Sequence, residues 1–323
     1  MHHRHLSPLM RIRALQATFY LAFLLALPSG PAAAQSRGPL ELATAPVPAA
    51  ALRIAYGSDP LQFGELRLPA TAGPHPVAIV VHGGCWVAKL GQLDERAVAL
   101  DNMRPLAAAL TEAGIATWNI EYRRLGHEGG GWPGTFLDVA NAADHLRTLA
   151  REHPLDLARV IAIGHSAGGH LAIWLAARGR VPATSELHAA DPLPLIGAVN
   201  LDGPADLQSM VPLQERICGR PVITELMDGT PAERPERYRA TSPIDLLPLG
   251  VRQKVHAGRM FAEQAEAYQA LAQQAGDPIA ATIIADAGHF VFIDPQSAAW
   301  PRVLRSIRRL LLIPDSASPE EES

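Results

Sequence analysis

The sequence predicts a doubly wound α/β fold, a mostly parallel sheet carrying a small cap insertion. Three observations predict it. Apolar strand-like runs alternate with amphipathic helical stretches over most of the chain. The runs are apolar at successive positions, as strands covered on both faces must be. A mixed segment at 203–242, with Pro204, Pro212, Pro221, Pro231 and Pro235 scattered through it, interrupts the alternation where a cap over a site would be inserted. In sheets of this kind, sites form beyond the carboxyl ends of the strands.

The first 34 residues stand apart from that pattern. "MHHRHLSPLMRIR" is basic, "ALQATFYLAFLLALPSG" is apolar, and "PAAAQS" offers small residues at Ala32 and Ala34, the pattern of a secretory leader cut after Ala34. Met10 would serve equally as the start. The apolar run is short for a membrane span and no comparable run follows. The expectation is therefore a periplasmic or secreted protein with no stable membrane insertion after cleavage. Residues 35–50, "QSRGPLELATAPVPAA", read as a flexible linker, 51–314 as the folded domain, and 315–323 as a disordered, solvated tail.

With 323 residues, 48% hydrophobic and 19% charged, the chain is long and apolar enough for a large core. Its net charge of -4, made more acidic if Arg4, Arg11 and Arg13 leave with the leader, argues against nucleic-acid binding. Cys85 and Cys218 are the two cysteines, and either one disulfide or two buried thiols fits them.

Two runs, "LRIAYG" and "QFGELRLP", read as an antiparallel pair. Parallel strands follow at 77–83, 115–122, 159–165, 196–202, 252–258 and 280–286, with helices near 94–113, 135–152, 167–178 and 263–275. A last helix from about Gln296 sets Trp300, Val303, Leu304, Ile307, Leu310 and Leu311 on one stripe that should pack on the sheet.

Chemistry concentrates at three strand ends. "VIAIGHSAGG" runs an apolar strand into a serine between two glycines and opens a helix, the context of a nucleophile elbow with Ser166 at its apex. "VVHGGCW" follows an earlier strand. Acyl transfer builds negative charge on the substrate oxygen and needs backbone N–H donors aimed at it, which Gly84 and Cys85 would supply together with Ala167, Gly83 being the substitute if the loop is rotated. "DAGHFVFID" sets His289 just beyond the last strand, where an imidazole could take the serine proton. His82, His165, His170 and His256 read as supporting or surface residues.

These motifs, with "EYRR" and "GGGWPGTFLDV", resemble the α/β-hydrolase serine esterases and lipases, most closely the carboxylesterase and kynurenine formamidase branch with H-G-G-x-W and G-x-S-x-G. The resemblance spans nearly the whole mature chain. It implies Ser166 as nucleophile, His289 as base, and Gly84, Cys85 and Ala167 as oxyanion donors. It fails at the acid: where relatives usually carry an aspartate after the strand before the last, this chain reads "VHAGRMFAEQAEAY". Three options stand, with Asp202 preferred at the end of "AVNLD", Glu263 second, and no acid at all the third.

Trp86, Tyr122 and Trp132 are candidates for the substrate pocket. No metal-site spacing is present, and no cofactor is required by this chemistry. The reading is an exported serine hydrolase that cleaves small carboxylic esters through an acyl-serine. The alternatives are an arylformamidase or peptidase of the same fold, and a non-catalytic binding protein on a hydrolase scaffold that has lost its acid.

Overall fold

A computed structural model of the chain describes residues 37–48 and 52–313. The expected leader at 1–34 and tail at 315–323 lie outside the described residues. Eight strands form one sheet: β1 Leu52–Ala55, β2 Phe63–Arg67, β3 His75–Val81, β4 Ala116–Ile120, β5 Leu155–His165, β6 Gly197–Leu201, β7 Arg252–Ala257 and β8 Ile279–Ile283. Their order is β1-β2-β4-β3-β5-β6-β7-β8, with β1, β2 and β4 paired antiparallel and every other pairing parallel. The expected α/β architecture is the one observed.

The helices are α1 Pro39–Ala43, α2 Arg104–Glu112, α3 Gly134–Asp144, α4 Leu146–Leu149, α5 Ala167–Ala177, α6 Leu207–Met210, α7 Gln214–Cys218, α8 Val222–Leu226, α9 Pro235–Thr241, α10 Ala262–Gln274 and α11 Trp300–Leu310. Strand β3 shows why both sheet faces need cover. Its Val77, Ile79 and Val81 enter one core with α3, α5 and α10, while Ala78 and Val80 enter a second core with α1, α2 and α11. Side chains alternate across a strand, so a run that is apolar throughout demands two partners.

The helix ends differ from the sequence reading for local reasons. The stretch expected to be one helix at 94–113 is two 3₁₀ turns, capped by the Asp94 carboxylate on the Arg96 N–H (2.9 Å), before α2 starts with Pro105 in its first turn. A proline lacks the N–H that a helix interior needs, and so fits only that position. Pro301 likewise fixes the start of α11 at Trp300, later than the Gln296 expected. The predicted stripe of α11 is buried at Val303, Ile307, Leu310 and Leu311, with Trp300 and Leu304 packed against its edge.

Residues 37–48, read as part of a flexible linker, are instead seated on the domain. Leu42 is wholly buried in the second core, and the Arg37 guanidinium binds Asp294. A buried leucine and an ion pair outweigh the Pro- and Ala-rich composition that suggested disorder. Segment 203–242 folds as the short helices α6 to α9 between β6 and β7.

The serine turn depends on close backbone packing. A Cβ on Gly164 would run into the Gly168 carbonyl, and one on Gly168 would run into the carbonyls of Val81 and His82. Gly168→Ala should therefore lower stability by about 2 kcal/mol or more, since neither neighbour is a flexible side chain. That is a fall of roughly 5 °C in melting temperature for a domain of this size. Gly179→Ala, which meets open space, should stay within about 0.5 kcal/mol; equal melting curves for the two variants would refute the packing argument.

Candidate active site

Every group expected to carry chemistry sits beyond a strand's carboxyl end. β5 delivers Ser166 straight into α5 with φ 55° and ψ -123°, a backbone conformation unfavourable for any residue with a Cβ. The turn is held by the Ser166 N–H on the Leu201 carbonyl (2.9 Å) and the Gly169 N–H on the Ser166 carbonyl (2.8 Å). Ala167 begins α5, so its N–H belongs to the first turn and has no partner within the helix.

Beyond β3, Gly84, Cys85 and Trp86 occupy the left-handed region in succession, with φ of 103°, 53° and 54°. Gly84 has no alternative, because a Cβ there would strike Val98. Gly83 instead packs against the His165 carbonyl and the Ser166 side chain. Among the described residues, no acceptor takes the N–H of Gly84 or Cys85. Both residues line one cavity of about 200 Å³ with Ser166 and His289. The sulfur of Cys85 is bonded to that of Cys218 at the end of α7, so the pairing left open by the sequence is made.

Asp202 follows β6 with φ 52° and is fully buried. Its backbone N–H bonds the His256 carbonyl (2.7 Å), and the Asn200 amide clamps the turn by bonding Gly203 in both directions (2.8 and 2.9 Å). One carboxylate oxygen accepts from His289 Nδ1 at 2.6 Å and the other from the Gly258 N–H at 2.8 Å. A carboxylate only accepts, so His289 carries its proton on Nδ1 and leaves Nε2 free as a base. Strand β7, whose end lacks the expected aspartate, supplies a hydrogen-bond donor to Asp202 instead. Glu263, the second choice, lies on α10 against a different cavity with Asp206, Ser209 and Tyr268.

The four remaining histidines near the site are all buried, none of them on the surface. His165, preceding the serine, donates Nε2–H to the His289 backbone carbonyl (2.9 Å) and packs its ring 4.4 Å from that of His289. Burial and the neighbouring His289 hold the His165 ring well below the usual imidazole range. It stays neutral, and adds no repulsion to a charge forming on His289. Sequence gave no signal for this role beyond the position next to Ser166.

The pocket residues need correction. Tyr122 is fully buried, stacked on His82 (4.3 Å) with its hydroxyl on the His82 carbonyl (2.8 Å), so it supports the loop from beneath. Trp86 is buried edge-on to His170. Trp132 lines a larger cavity of about 370 Å³ with Glu186, Arg237 and Arg239, which contains neither Ser166 nor His289. The walls facing Ser166 are Pro39, Leu90, Leu93, Val98, Ile217, Met260 and Phe290. Loop residues without periodicity carry no sequence signal of a shared cavity, whereas the aromatic Trp86 and Tyr122 beside the glycines are packing anchors.

Under the glycine loop after β3 lies a buried polar network. Glu121 accepts from His82 Nε2 (3.0 Å), from the Tyr122 N–H (3.0 Å) and from the Leu100 N–H (3.3 Å), and pairs with Arg124 at 3.2 Å. Burial alone would push the Glu121 carboxyl up, but the His82 ring, Arg124 and the Tyr122 N–H together bring it down to about 2. Among the described residues, no three His, Cys, Asp or Glu side chains cluster as a metal site would require, and no helix is long and apolar enough to cross a membrane.

A strand-turn-helix serine, a histidine bonded to a buried aspartate and a glycine loop beside them on this sheet define an α/β-hydrolase. Residues 65–248, more than half of the chain, match the BD-FAE family, and the chain belongs to that family. It is thus a serine hydrolase of esterase type. A comparison with curated proteins finds no match. Similar solved structures include a bifunctional GH43-CE protein of Bacteroides eggerthii (19% identity, TM-score 0.65), where the match covers 81% of this chain and 38% of that one. A truncated carbohydrate esterase from gut microbiota (18%, TM-score 0.66) is covered completely by 85% of this chain. An esterase of Thermogutta terrifontis solved with propionate bound (19%, TM-score 0.63) matches over 82% of this chain and 94% of its own. At these identities the likeness is one of fold.

Glu121→Gln should lower the melting temperature at pH 7, because it removes a buried charge from the facing Arg124 guanidinium. A carboxyl held at about 2 against an ordinary 4.5 stabilises fully above pH 4.5 and progressively less as pH falls toward 2. The gap between wild type and variant should accordingly narrow between pH 5 and pH 3.5. A gap that widens on acidification would contradict the assignment.

Proposed function

We propose that this chain hydrolyses carboxylic esters through an acyl-serine intermediate, with Ser166 as nucleophile, His289 as general base and Asp202 as the acid that orients it. The observation that carries the reading is the 2.6 Å bond from His289 Nδ1 to a buried carboxylate, beside a cavity that both Ser166 and His289 line. Ser166 Oγ attacks the carbonyl carbon and its proton passes to His289 Nε2. The carbonyl electrons move onto the oxygen, where the N–H groups of Gly84, Cys85 and Ala167 stabilise the charge. His289 returns the proton to the departing alcohol as the ester C–O bond breaks. Water then repeats the attack on the acyl group, releasing the carboxylic acid and the free serine.

The mostly apolar walls and modest volume support a small acyl or aryl group. Propionate bound by the Thermogutta terrifontis esterase, and the carbohydrate esterases among the structural neighbours, support short acyl groups on sugars as the first substrates to try. The disulfide supports an oxidising compartment and so the exported, periplasmic or secreted location. The non-catalytic alternative rests on a missing acid, and the 2.6 Å contact of Asp202 with His289 supports the catalytic reading over it.

Wild type should take up a fluorophosphonate probe and hydrolyse p-nitrophenyl acetate and propionate, and Ser166→Ala should abolish both. Asp202→Asn should lower kcat about 10,000-fold, the scale of a triad that loses its acid. Glu263→Gln should keep kcat within about twofold. Near-normal turnover in Asp202→Asn would remove that residue from the mechanism, and unlabelled wild type would end the reading altogether.

A further inference from the structure

The loop that carries two of the three oxyanion donors is fastened on both sides of Cys85, and across it by one backbone bond, from the Val87 N–H to the Gly84 carbonyl (3.1 Å). Upstream, His82 is held by Glu121 and by the Tyr122 hydroxyl. Downstream, the Trp86 carbonyl accepts from the Leu125 N–H (2.9 Å), and the Ala88 N–H bonds the Leu125 carbonyl (2.8 Å). Between these anchors Cys85 stands at φ 53°, a conformation that L-residues leave readily. Its N–H has to remain free of protein acceptors if it is to meet a substrate oxygen. The turn bond at 3.1 Å is long and local, and the side chain is the one covalent handle on Cys85: it is bonded to Cys218, 133 residues away on the cap.

The far end of that bond is itself anchored. Cys218 closes α7, where Gly219 (φ 72°) ends the helix with its N–H on the Glu215 carbonyl (2.8 Å). Gln214 Oε1 ties α7 to α8 through the N–H groups of Ile223 (2.7 Å) and Thr224 (3.3 Å). Both half-cystines are buried. We propose that Cys218 is a positioning residue for catalysis: its disulfide holds the Cys85 N–H on the oxyanion. The cap thereby contributes to the electrostatics of the transition state as well as to the wall of the cavity. This inference rests on the ester-hydrolysis reading above.

The test compares wild type, Cys218→Ser, Cys85→Ser and the double variant, each checked for a cooperative thermal transition. Losing one oxyanion donor outright lowers kcat by about 100- to 1000-fold. A loosened donor should lower it by about 10- to 100-fold, with KM for p-nitrophenyl acetate within about threefold. All three variants should fall by the same factor, because each breaks the same bond. An arylboronic acid, which forms a tetrahedral adduct on serine with an oxygen in the oxyanion position, should lose affinity in parallel with kcat. A merely structural bond would lower the melting temperature and leave both numbers alone.

Folded Cys218→Ser with wild-type kcat overturns the proposal, as does a fall in kcat with unchanged boronate affinity. Should the variants not fold, folded wild type is treated with dithiothreitol, which reduces the disulfide to two thiols while it is itself oxidised to its cyclic disulfide. The same fall in kcat, reversed on re-oxidation, supports the proposal, and unchanged kcat once two thiols titrate refutes it. If oxidised wild type neither hydrolyses an ester nor takes the fluorophosphonate, it is the ester-hydrolysis reading that has failed.

Discussion

A single hydrogen bond, from the His289 ring to the Asp202 carboxylate, gathers the whole rim of the sheet around one point. For it to form, β6 must end in a residue of left-handed backbone, β7 must lend the Gly258 N–H, and the loop after β8 must fold back over β5. A fully buried carboxylate is expensive to desolvate, and donors on both oxygens of Asp202 offset that cost. Remove either donor and the aspartate is free to rotate away from the histidine. The arrangement is therefore a joint property of three strand ends.

A second buried carboxylate performs a different task nearby. Glu121 lies beneath the glycine loop and gathers His82, Arg124 and two backbone N–H groups around itself. Through His82 and Tyr122 it fixes the exit of β3 while contributing nothing that touches the cavity. The two acids divide the work: one holds the His289 ring, the other the floor under the glycine loop. Both lie buried just past a strand end, out of reach of water, which is what makes fixed hydrogen bonds there worth more than their solvated equivalents.

Much of this was legible in the chain itself. All eight strands were readable because their apolar runs are bounded by turn residues. Ser166 and Asp202 were visible because small residues and strand ends narrow the choices, and His289 because it follows the last strand. The choice between Asp202 and Glu263 needed three dimensions, since each is merely a carboxylate near a strand end or helix start. The cavity walls were misread for a physical reason: Trp86 and Tyr122 pack inward under the loop, and the walls beside Ser166 are mostly aliphatic residues scattered over distant segments. The helix in 37–48 was missed because its anchors, the second core and Asp294, are contributed by distant sequence.

That helix bears on how the protein is handled. Pro39 of α1 forms part of the wall opposite Ser166, so the reaction vessel begins upstream of the first strand. A boundary drawn at β1, where regular sheet structure starts, would cut away one side of it and unpair Asp294 from Arg37 while leaving Ser166, Asp202 and His289 in place. Substrate preference measured on such a shortened chain would describe a wider mouth than the one nature built.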